Sequence, residues 1–471
     1  MYLQQFNTIE EYNKANIKYP NVSFILSTNE ILFNNESKLP ISILPKLSSI
    51  INATYVDMNY IKLFTQKTNK YYYKNLDDLQ VDLSSNNLGT NSVDESLAKI
   101  FVYIHNNQIN VILLDNLTIL STINIISNLP VNLILNGFTI NINTEIGITV
   151  TNSNVNIDGS CDGSNIYIET KENEQTKILN IINSNVTITG GKYEILSHKY
   201  GNTDNPNVCF YVDSESSLTI NNASIKAIDD NNGAISVIYT KTNSVLECND
   251  CVITCESKGG LRAIGIYTEG NTKINDSIIT AYSDHTANAA GNNYGTTSNA
   301  IMAQSGNIEL YNCYIYGMHS GMTCKCNCKI NKGLYAGYSH GGVYFAGNNI
   351  AAHISNAAFL DKGLPEGFID DGRAGTNGAS LYIGGAYKNT LYVNNCNFYG
   401  KIQPIVIKYS SSSSYGHKIY ISNSNINLNY TRCGFRNDGD CEIYSGLGNN
   451  FTNADLEANR NYTETSETYN Q

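Results

Sequence analysis

The chain has 471 residues, a formal net charge of -11, 41 % hydrophobic residues and only 15 % charged ones. That length could hold two or three domains. The absence of any Lys/Arg cluster disfavours a nucleic-acid partner, because phosphate binding needs a basic face. No run of about 18 apolar residues occurs, so no membrane span is expected.

The first residues, MYLQQFNTIEEYNK, have no charged start followed by an apolar core, so no signal peptide is expected. Residues 1–45 read as a separate opening piece. Thr8-Ile9-Glu10-Glu11 has the form of a capping box for a short helix ending before Pro20. VSFILSTNEILFNN then reads as two short strands around Ser27-Thr28-Asn29. Residues 46–90, with Tyr71, Tyr72 and Tyr73 in a row, give no assignable pattern and are treated as a connector.

Ser92-Val93-Asp94-Glu95 forms a second capping box, with Leu97, Ile100, Phe101 and Ile104 at helical spacing behind it. The reading is a short amphipathic helix ahead of a first strand at 111–114. Its role would be to cover the open end of a stack of strands.

From there one short motif recurs: apolar, any, Asn or Asp, small, any, apolar. The Asx position falls on Asn152, Asn183, Asn222, Asp250, Asp276, Asn312, Asn331, Asn356, Asn395 and Asn423. Three residues later the chain is apolar every time, from Val155 to Ile426. Asn makes up about one residue in seven of the chain, well above ordinary usage. Asn tolerates left-handed backbone angles at tight bends, and stacked amides can bond to one another between layers.

Successive Asx positions lie 31, 39, 28, 26, 36, 19, 25, 39 and 28 residues apart. A period of this size marks a solenoid. The runs between bends are too close together for crossover helices. The longer spacings call for loops near 160–176, 190–212, 284–298, 361–378 and 408–416. The repeat at Asn331 is the weakest, with Lys329 and Lys332 at normally apolar or small positions, and a break or reshaped coil is expected there. After about 430 the pattern fades into a polar tail, 436–471, which alone reads as disordered unless a neighbouring subunit orders it.

Twelve cysteines are present. Cys251, Cys313 and Cys396 occupy the small position after the Asx, where Ser153, Ser184, Ala223, Ser277, Ala357 and Ser424 stand in other repeats. They therefore read as small packing residues. Cys324, Cys326 and Cys328 alternate along a strand and face one way. A core row of thiols is favoured over a zinc site, which would need a fourth ligand such as His319 or His340. No metal and no cofactor is expected.

The repeat resembles the pectate-lyase-like superfamily of right-handed, single-stranded parallel β-helices, over roughly residues 91–435. VNLILNGFTI at 131–140 is similar to an opening coil phrase common there. The resemblance implies an all-β fold. It covers lyases, hydrolases, adhesins and phage spikes alike, so it does not choose a function. YPNVSFILSTNEILFNN at 19–35 resembles the start of virion fibre and appendage proteins of gut bacteriophages, including crAss-like phages. That resemblance implies an attachment piece followed by a β-helical shaft, made in the host cytoplasm and carried on the virion. A homotrimer, a virion docking partner and a host-surface glycan or receptor are what it implies as partners.

The rival expectation is a polysaccharide lyase or glycoside hydrolase working on a lateral groove. Such an enzyme needs paired carboxylates on one face. The best group is Glu366, Asp370, Asp371 and Arg373 in GLPEGFIDDGRAGTNG, where Arg373 could hold a sugar carboxylate. Asp284-His285 is a second candidate, and Asp229-Asp230 reads as a turn. Tyr311, Tyr314 and Tyr316 lie in one repeat; Tyr314 and Tyr316 flank inward Ile315 and are expected to face outward, for glycan contact or a subunit interface.

Overall fold

A computed structural model describes residues 70–170, 176–198, 207–230, 234–258, 262–284, 298–337, 341–361, 379–384, 388–400, 404–408, 416–428, 435–437, 441–452 and 463–469, together with the backbone of 4–6, 22–25 and 30–33. The protein is a parallel β-helix. Each coil contributes a first and a second strand to one long folded sheet and a third strand to a separate twelve-stranded sheet. One coil runs Val245–Asn249, Val252–Lys258 and Arg262–Thr268; the next runs Asn271–Asn275, Ile278–Asp284 and Asn299–Ala303. Equivalent strands pair parallel and in register, as in Ile253↔Ile279↔Ile315. Each coil therefore adds about 4.8 Å of rod, the spacing of hydrogen-bonded strands.

Alternation along each strand decides what goes inside. In Ser224–Asp229 every second residue is buried, and Ile225 and Ala227 are fully enclosed. Residues of one column stack from coil to coil, so like meets like. Tyr335, Phe359 and Phe398 form an internal pile with ring centroids 5.4 and 5.1 Å apart.

The rod starts with an antiparallel piece. Lys70–Tyr73 pairs with Ile100–His105, which pairs with Gln108–Leu113. A capping helix is present, but it is Leu76–Ser84 rather than residues 92–104. Asn75 caps it by accepting the Asp78 N–H at 2.8 Å. Leu76, Leu79 and Leu83 border the same small apolar space as Val111, Ile123, Ile125 and Leu133 of the first coils. Buried Asp82 ties helix to rod. It accepts from the Tyr73 hydroxyl at 2.8 Å, the Gly89 and Asn91 N–H groups at 3.0 Å each, and the Asn91 amide at 2.6 Å.

The capping box at residues 92–95 closes only a single 3₁₀ turn, Glu95–Leu97, in which Asp94 accepts the Ser96 N–H. Leu97 is 63 % exposed, and Ile100–Tyr103 are all buried. A strand covered on both faces shows apolar residues at every spacing, helical spacing included. The two strands read in VSFILSTNEILFNN are present as the antiparallel pair Val22–Ile25 and Glu30–Phe33. The short helix expected over residues 8–19 lies outside the described residues.

The bends explain the Asx motif and correct its alignment. Asn222, Asp250, Asp276, Asn312, Asn356, Asn395 and Asn423 all have positive φ and all stand where the first side of the coil turns into the second; at Asn312 and Asn356 the two sides run on as one strand, Asn307–Gly317 and Ala351–Asp361. Asn152 and Asn183 also have positive φ but lie at a different corner, between a third strand and the next coil's first. Their successors at that corner are Glu215 and Asn243. The spacing of 39 from Asn183 to Asn222 is thus one coil plus one side. Amide bonds join neighbours at both corners: Asn183 Nδ2 donates to Asn152 at 2.6 Å, and Asn395 Nδ2 to Asn356 at 2.7 Å.

The weak repeat is not a break. Asn327–Gly337 is a continuous strand paired along its length with both neighbours. The left-handed residue there is Lys332 rather than Asn331, followed by Gly333, and Tyr335 takes the buried place assigned to Leu334. Aligning on Asn331 had displaced this coil by one residue.

Part of the polar tail is ordered on the rod. Thr463–Glu464 pairs with Cys441–Ser445, and Tyr469 is buried with its N–H donating to Ser422 Oγ at 3.0 Å.

Candidate functional site

The three corners of the coil differ in what they carry. From Asn222 onward the first corner is closed by two residues or is a bend within one continuous strand. Its small position is buried at Ala223, Cys251, Ser277, Cys313, Ala357, Cys396 and Ser424, and half-buried at Gly333. Here Ser and Cys do the same work. Ser277 Oγ donates to the Asn275 carbonyl at 2.7 Å, and Cys251 Sγ points at the Asn249 carbonyl at 3.3 Å. The Ser277 hydroxyl also accepts the Cys251 N–H from the preceding coil at 3.0 Å. Ser153 and Ser184 repeat this arrangement at the third corner.

The second corner joins the second strand to the third, and most of the chain outside the described residues falls there. Segments 171–175, 199–206, 231–233, 259–261, 285–297, 338–340, 362–378, 401–403 and 429–434 all connect these two strands. Of the loops expected, 160–176 and 190–212 instead contain the ladder strands Asn165–Thr170 and Lys192–Ser197, and 408–416 falls between a third strand and the next first one. Asp370, Asp371, Arg373 and Glu366 belong to the segment between Ala351–Asp361 and Leu381–Gly384. They lie outside the described residues, as do His285 and the Asp284 side chain, although Asp284 ends a second strand at this same edge.

The described side chains at this edge form a charged column. Thr170, Ser197 and Asp229 are in register on successive coils. Beside them Glu169, His198 and Asp230 converge. His198 Nδ1 lies 2.7 Å from Asp230 Oδ2, and its Nε2 lies 3.2 Å from Glu169 Oε1. The hydrogen bond to Glu169, and next that to Asp230, hold the imidazole above its usual pKa despite some desolvation. Behind this column, Asn207 Nδ2 donates to Ser197 Oγ at 2.7 Å and the Thr176 N–H donates to Asn207 Oδ1 at 3.1 Å, which ties two corner stems together. Asp230 is therefore more than a turn residue.

The outer face of the first strands changes character along the rod. One register column runs Asn132, Asn156, Thr187, Thr219, then Glu247, Lys273, Glu309, Lys329, then His353, Tyr392, Tyr420 and Tyr444. The amide part is bonded, with Asn156 Nδ2 donating to Asn132 at 2.7 Å. The aromatic part is a pile of near-parallel rings 5.1, 5.1 and 4.9 Å apart. A second pile, Tyr211–Tyr239–Tyr267, stands on the twelve-stranded sheet with spacings of 5.6 and 4.4 Å. Lys177 Nζ caps its start 3.8 Å from the Tyr211 ring, and Arg262 lies 5.1 Å from the Tyr267 ring. These cation–π contacts close a stack whose ring faces are already covered. Neither pile was read from the sequence. The signal was there: Tyr211, Tyr239 and Tyr267 are 28 residues apart, as are Tyr392 and Tyr420.

Of the three tyrosines singled out, Tyr311 is exposed and Tyr314 half-buried. Tyr316 is only 1 % exposed and packs against Tyr282 at 5.4 Å, so it does not face solvent as expected. The neighbouring coil's aromatic ring overlies the position that alternation assigns to the outside.

Cys324, Cys326 and Cys328 are buried while residues 325 and 327 are exposed, but they do not share one strand: Cys324 ends Ser320–Cys324, Cys328 lies in Asn327–Gly337, and Cys326 is in the corner between them. Together with Cys161, Cys209, Cys248, Cys251, Cys255, Cys313 and Cys396 they are unbridged. Burial raises the Cys209, Cys255 and Cys396 thiols well above the ordinary range, which keeps them protonated and inert. Among the described residues no three His, Cys, Asp or Glu side chains are grouped to hold a metal ion, and no helix is long and apolar enough to cross a membrane.

Compared with protein-family models, curated proteins and solved structures, the chain has no match in any of the three.

Proposed function

We propose that this protein is a bacteriophage virion appendage, a tail fibre, tailspike or head fibre, whose shaft projects from the particle and mediates attachment to the host surface. The observation that carries the reading is the uninterrupted β-helix itself. Its twelve-stranded third sheet runs the length of the rod, the N-terminal end is sealed by a helix, and connecting segments concentrate at one corner. Such a body is suited to span distance and to present loops to a surface. The resemblance of residues 19–35 to phage appendage starts supplies the attachment end.

Association with copies of itself, as a homotrimer, is part of the proposal. Val252 and Ile278 are each 44 % exposed on successive coils, in register with half-buried Tyr314 and Leu334. That column of outward apolar side chains is suited to a subunit contact. The N-terminal piece would dock to another virion protein, and the loop-bearing corner would meet a host glycan or receptor.

Gold-labelled antibody against the purified protein should decorate intact particles. Particles free of label would reject the reading. The alternative, a capsule depolymerase using the edge that carries Asp370 and Asp371, is favoured only by the gathering of carboxylates along that corner. Release of oligosaccharide from host capsule that vanishes in Asp370→Asn or Asp371→Asn would establish it instead.

A further inference from the structure

We propose that Glu169, His198 and Asp230 act as a proton-operated clasp across three successive coils, closed when the imidazole carries its second proton and half open when it does not. The proposal goes beyond the attachment reading and does not depend on it. Three strands end side by side: Asn165–Thr170, Lys192–Ser197 and Ser224–Asp229. The imidazole of the middle coil reaches a carboxylate on the coil before it and another on the coil after it, with one ring nitrogen to each.

Proton count decides what this arrangement can do. A charged imidazole has two N–H donors and serves both carboxylates; a neutral one has a single N–H and an acceptor lone pair. On losing the proton, one arm becomes a lone pair facing a carboxylate, which is repulsive. All three side chains stay about one-third exposed, so solvent can deliver and remove the proton.

The surrounding ionisable groups are compatible with this. Tyr167, on the Glu169 strand, donates its hydroxyl to the other Glu169 oxygen at 3.1 Å. That bond leaves Glu169 a partner when the imidazole arm opens. Glu194 lies on the His198 strand and, like Glu169, raises the Tyr167 hydroxyl. On the Asp230 strand, Lys226 is paired with Glu256 at 3.2 Å, and Asp229 is buried on the inward side of the alternation. Lys192 completes the ionisable groups on the exposed side of these three strands.

The clasp sits at loop stems. Segments 171–175, 199–206 and 231–233 each begin one or two residues beyond the clasp residue of their coil. Closing it ties three neighbouring stems together. The folded-state pKa of His198 is raised, so the stabilisation is fully present below the ordinary histidine value of about 6.5. It is lost as pH rises through the higher folded value.

The experiment is a histidine NMR titration of the full chain, with the His198 signal assigned by its disappearance in His198→Gln. Melting midpoints of both proteins are measured near pH 5.5 and near pH 8.5, on either side of the expected transition. The His198 midpoint should lie above about 6.5 and fall in both Glu169→Gln and Asp230→Asn. The wild-type protein should melt higher than His198→Gln at the acidic pH, and the gap should close at the alkaline one. A His198 midpoint at or below the ordinary value, no change in either carboxylate variant, or a melting gap independent of pH would each overturn the clasp. Should His198→Gln fail to fold, the titration in the two carboxylate variants decides alone.

Discussion

The first and second corners of the coil are built from the same chain by opposite rules. At the first corner the coils from Asn222 onward repeat one solution: a left-handed residue, Asx except at Lys332, then a small residue, with backbone bonds to both neighbouring coils such as Asp250 N–H to the Asn275 carbonyl and Val252 N–H to the Ala223 carbonyl. At the second corner the chain between strands ranges from two residues, at 318–319, to nineteen, at 362–380. A bend that must stack against copies of itself tolerates little change, because any change is felt by two neighbours. A corner whose connections differ in length from coil to coil is released from that constraint, and there charge and chemistry can vary. Stability should therefore be sensitive at the first corner and insensitive at the second, and function the reverse.

The sharpest way to break this contrast is at Gly333, which stands in the small position with φ 109°. A Cβ added there would sit against the Cys313 carbonyl oxygen of the preceding coil, far inside contact distance. Gly333→Ala combines that clash with a backbone angle alanine disfavours, and should lower unfolding free energy by about 3 kcal/mol. Denaturant unfolding measures it. A loss under about 1 kcal/mol would mean that the first corner yields more easily than its packing implies.

Next in size is the hydroxyl row. Ser277→Ala removes the acceptor of the buried Cys251 N–H and should cost about 1–2 kcal/mol. Cys251→Ser keeps a small donor at an equivalent place and should cost clearly less. If the two substitutions cost the same, the interchange of Ser and Cys along this corner has some other cause.

Smaller again is the Asx position itself. Asn312 has φ 52° and donates its amide to Asp276 Oδ1 at 2.6 Å. Asn312→Ala should cost about 1 kcal/mol, and Asn312→Gly less, because glycine recovers the backbone angle although it loses the amide bond. The reverse order would show that the amide ladder, rather than the bend, is what selects Asn.

These residues also show how far the sequence could be read. The Asx motif announced a parallel β-helix because it is the local signature of a bend that recurs with every coil. It could not tell the third corner from the first, since Asn152 and Asn222 solve the same backbone problem in the same residue types. The coil at Asn331 was misaligned for a related reason: Lys332 takes the left-handed place, and nothing in a lysine announces that.

The end cap was legible but was sought in the wrong segment. Asn75, Asp77 and Asp78 with Leu76, Leu79 and Leu83 form a capped amphipathic helix, whereas Ile100–His105 is a strand buried on both faces for most of its length. Of the candidate site, acidic residues at strand ends were noticed, but not that Glu169, His198 and Asp230 share one edge. That sharing depends on register, and register emerges only when strands 27 and 32 residues apart are laid side by side.

The smallest effect on stability is expected at the longest connection between two strands, 362–380. Replacing residues 364–376 by a Gly-Ser pair removes Asp370, Asp371 and Arg373 together while leaving the flanking strands Ala351–Asp361 and Leu381–Gly384 intact. Loop length enters folding free energy only logarithmically, so the unfolding free energy should move by less than about 1 kcal/mol. A loss of about 3 kcal/mol, the size expected for Gly333→Ala, would place this segment inside the packed body and remove the distinction between the two corners. With stability unchanged, binding of the variant to host cells becomes a direct measure of what this edge contributes. Weakened adsorption with no change in capsule integrity separates a receptor-contacting loop from a cleaving one, since loss of a depolymerase would leave the capsule intact where the wild-type protein degrades it.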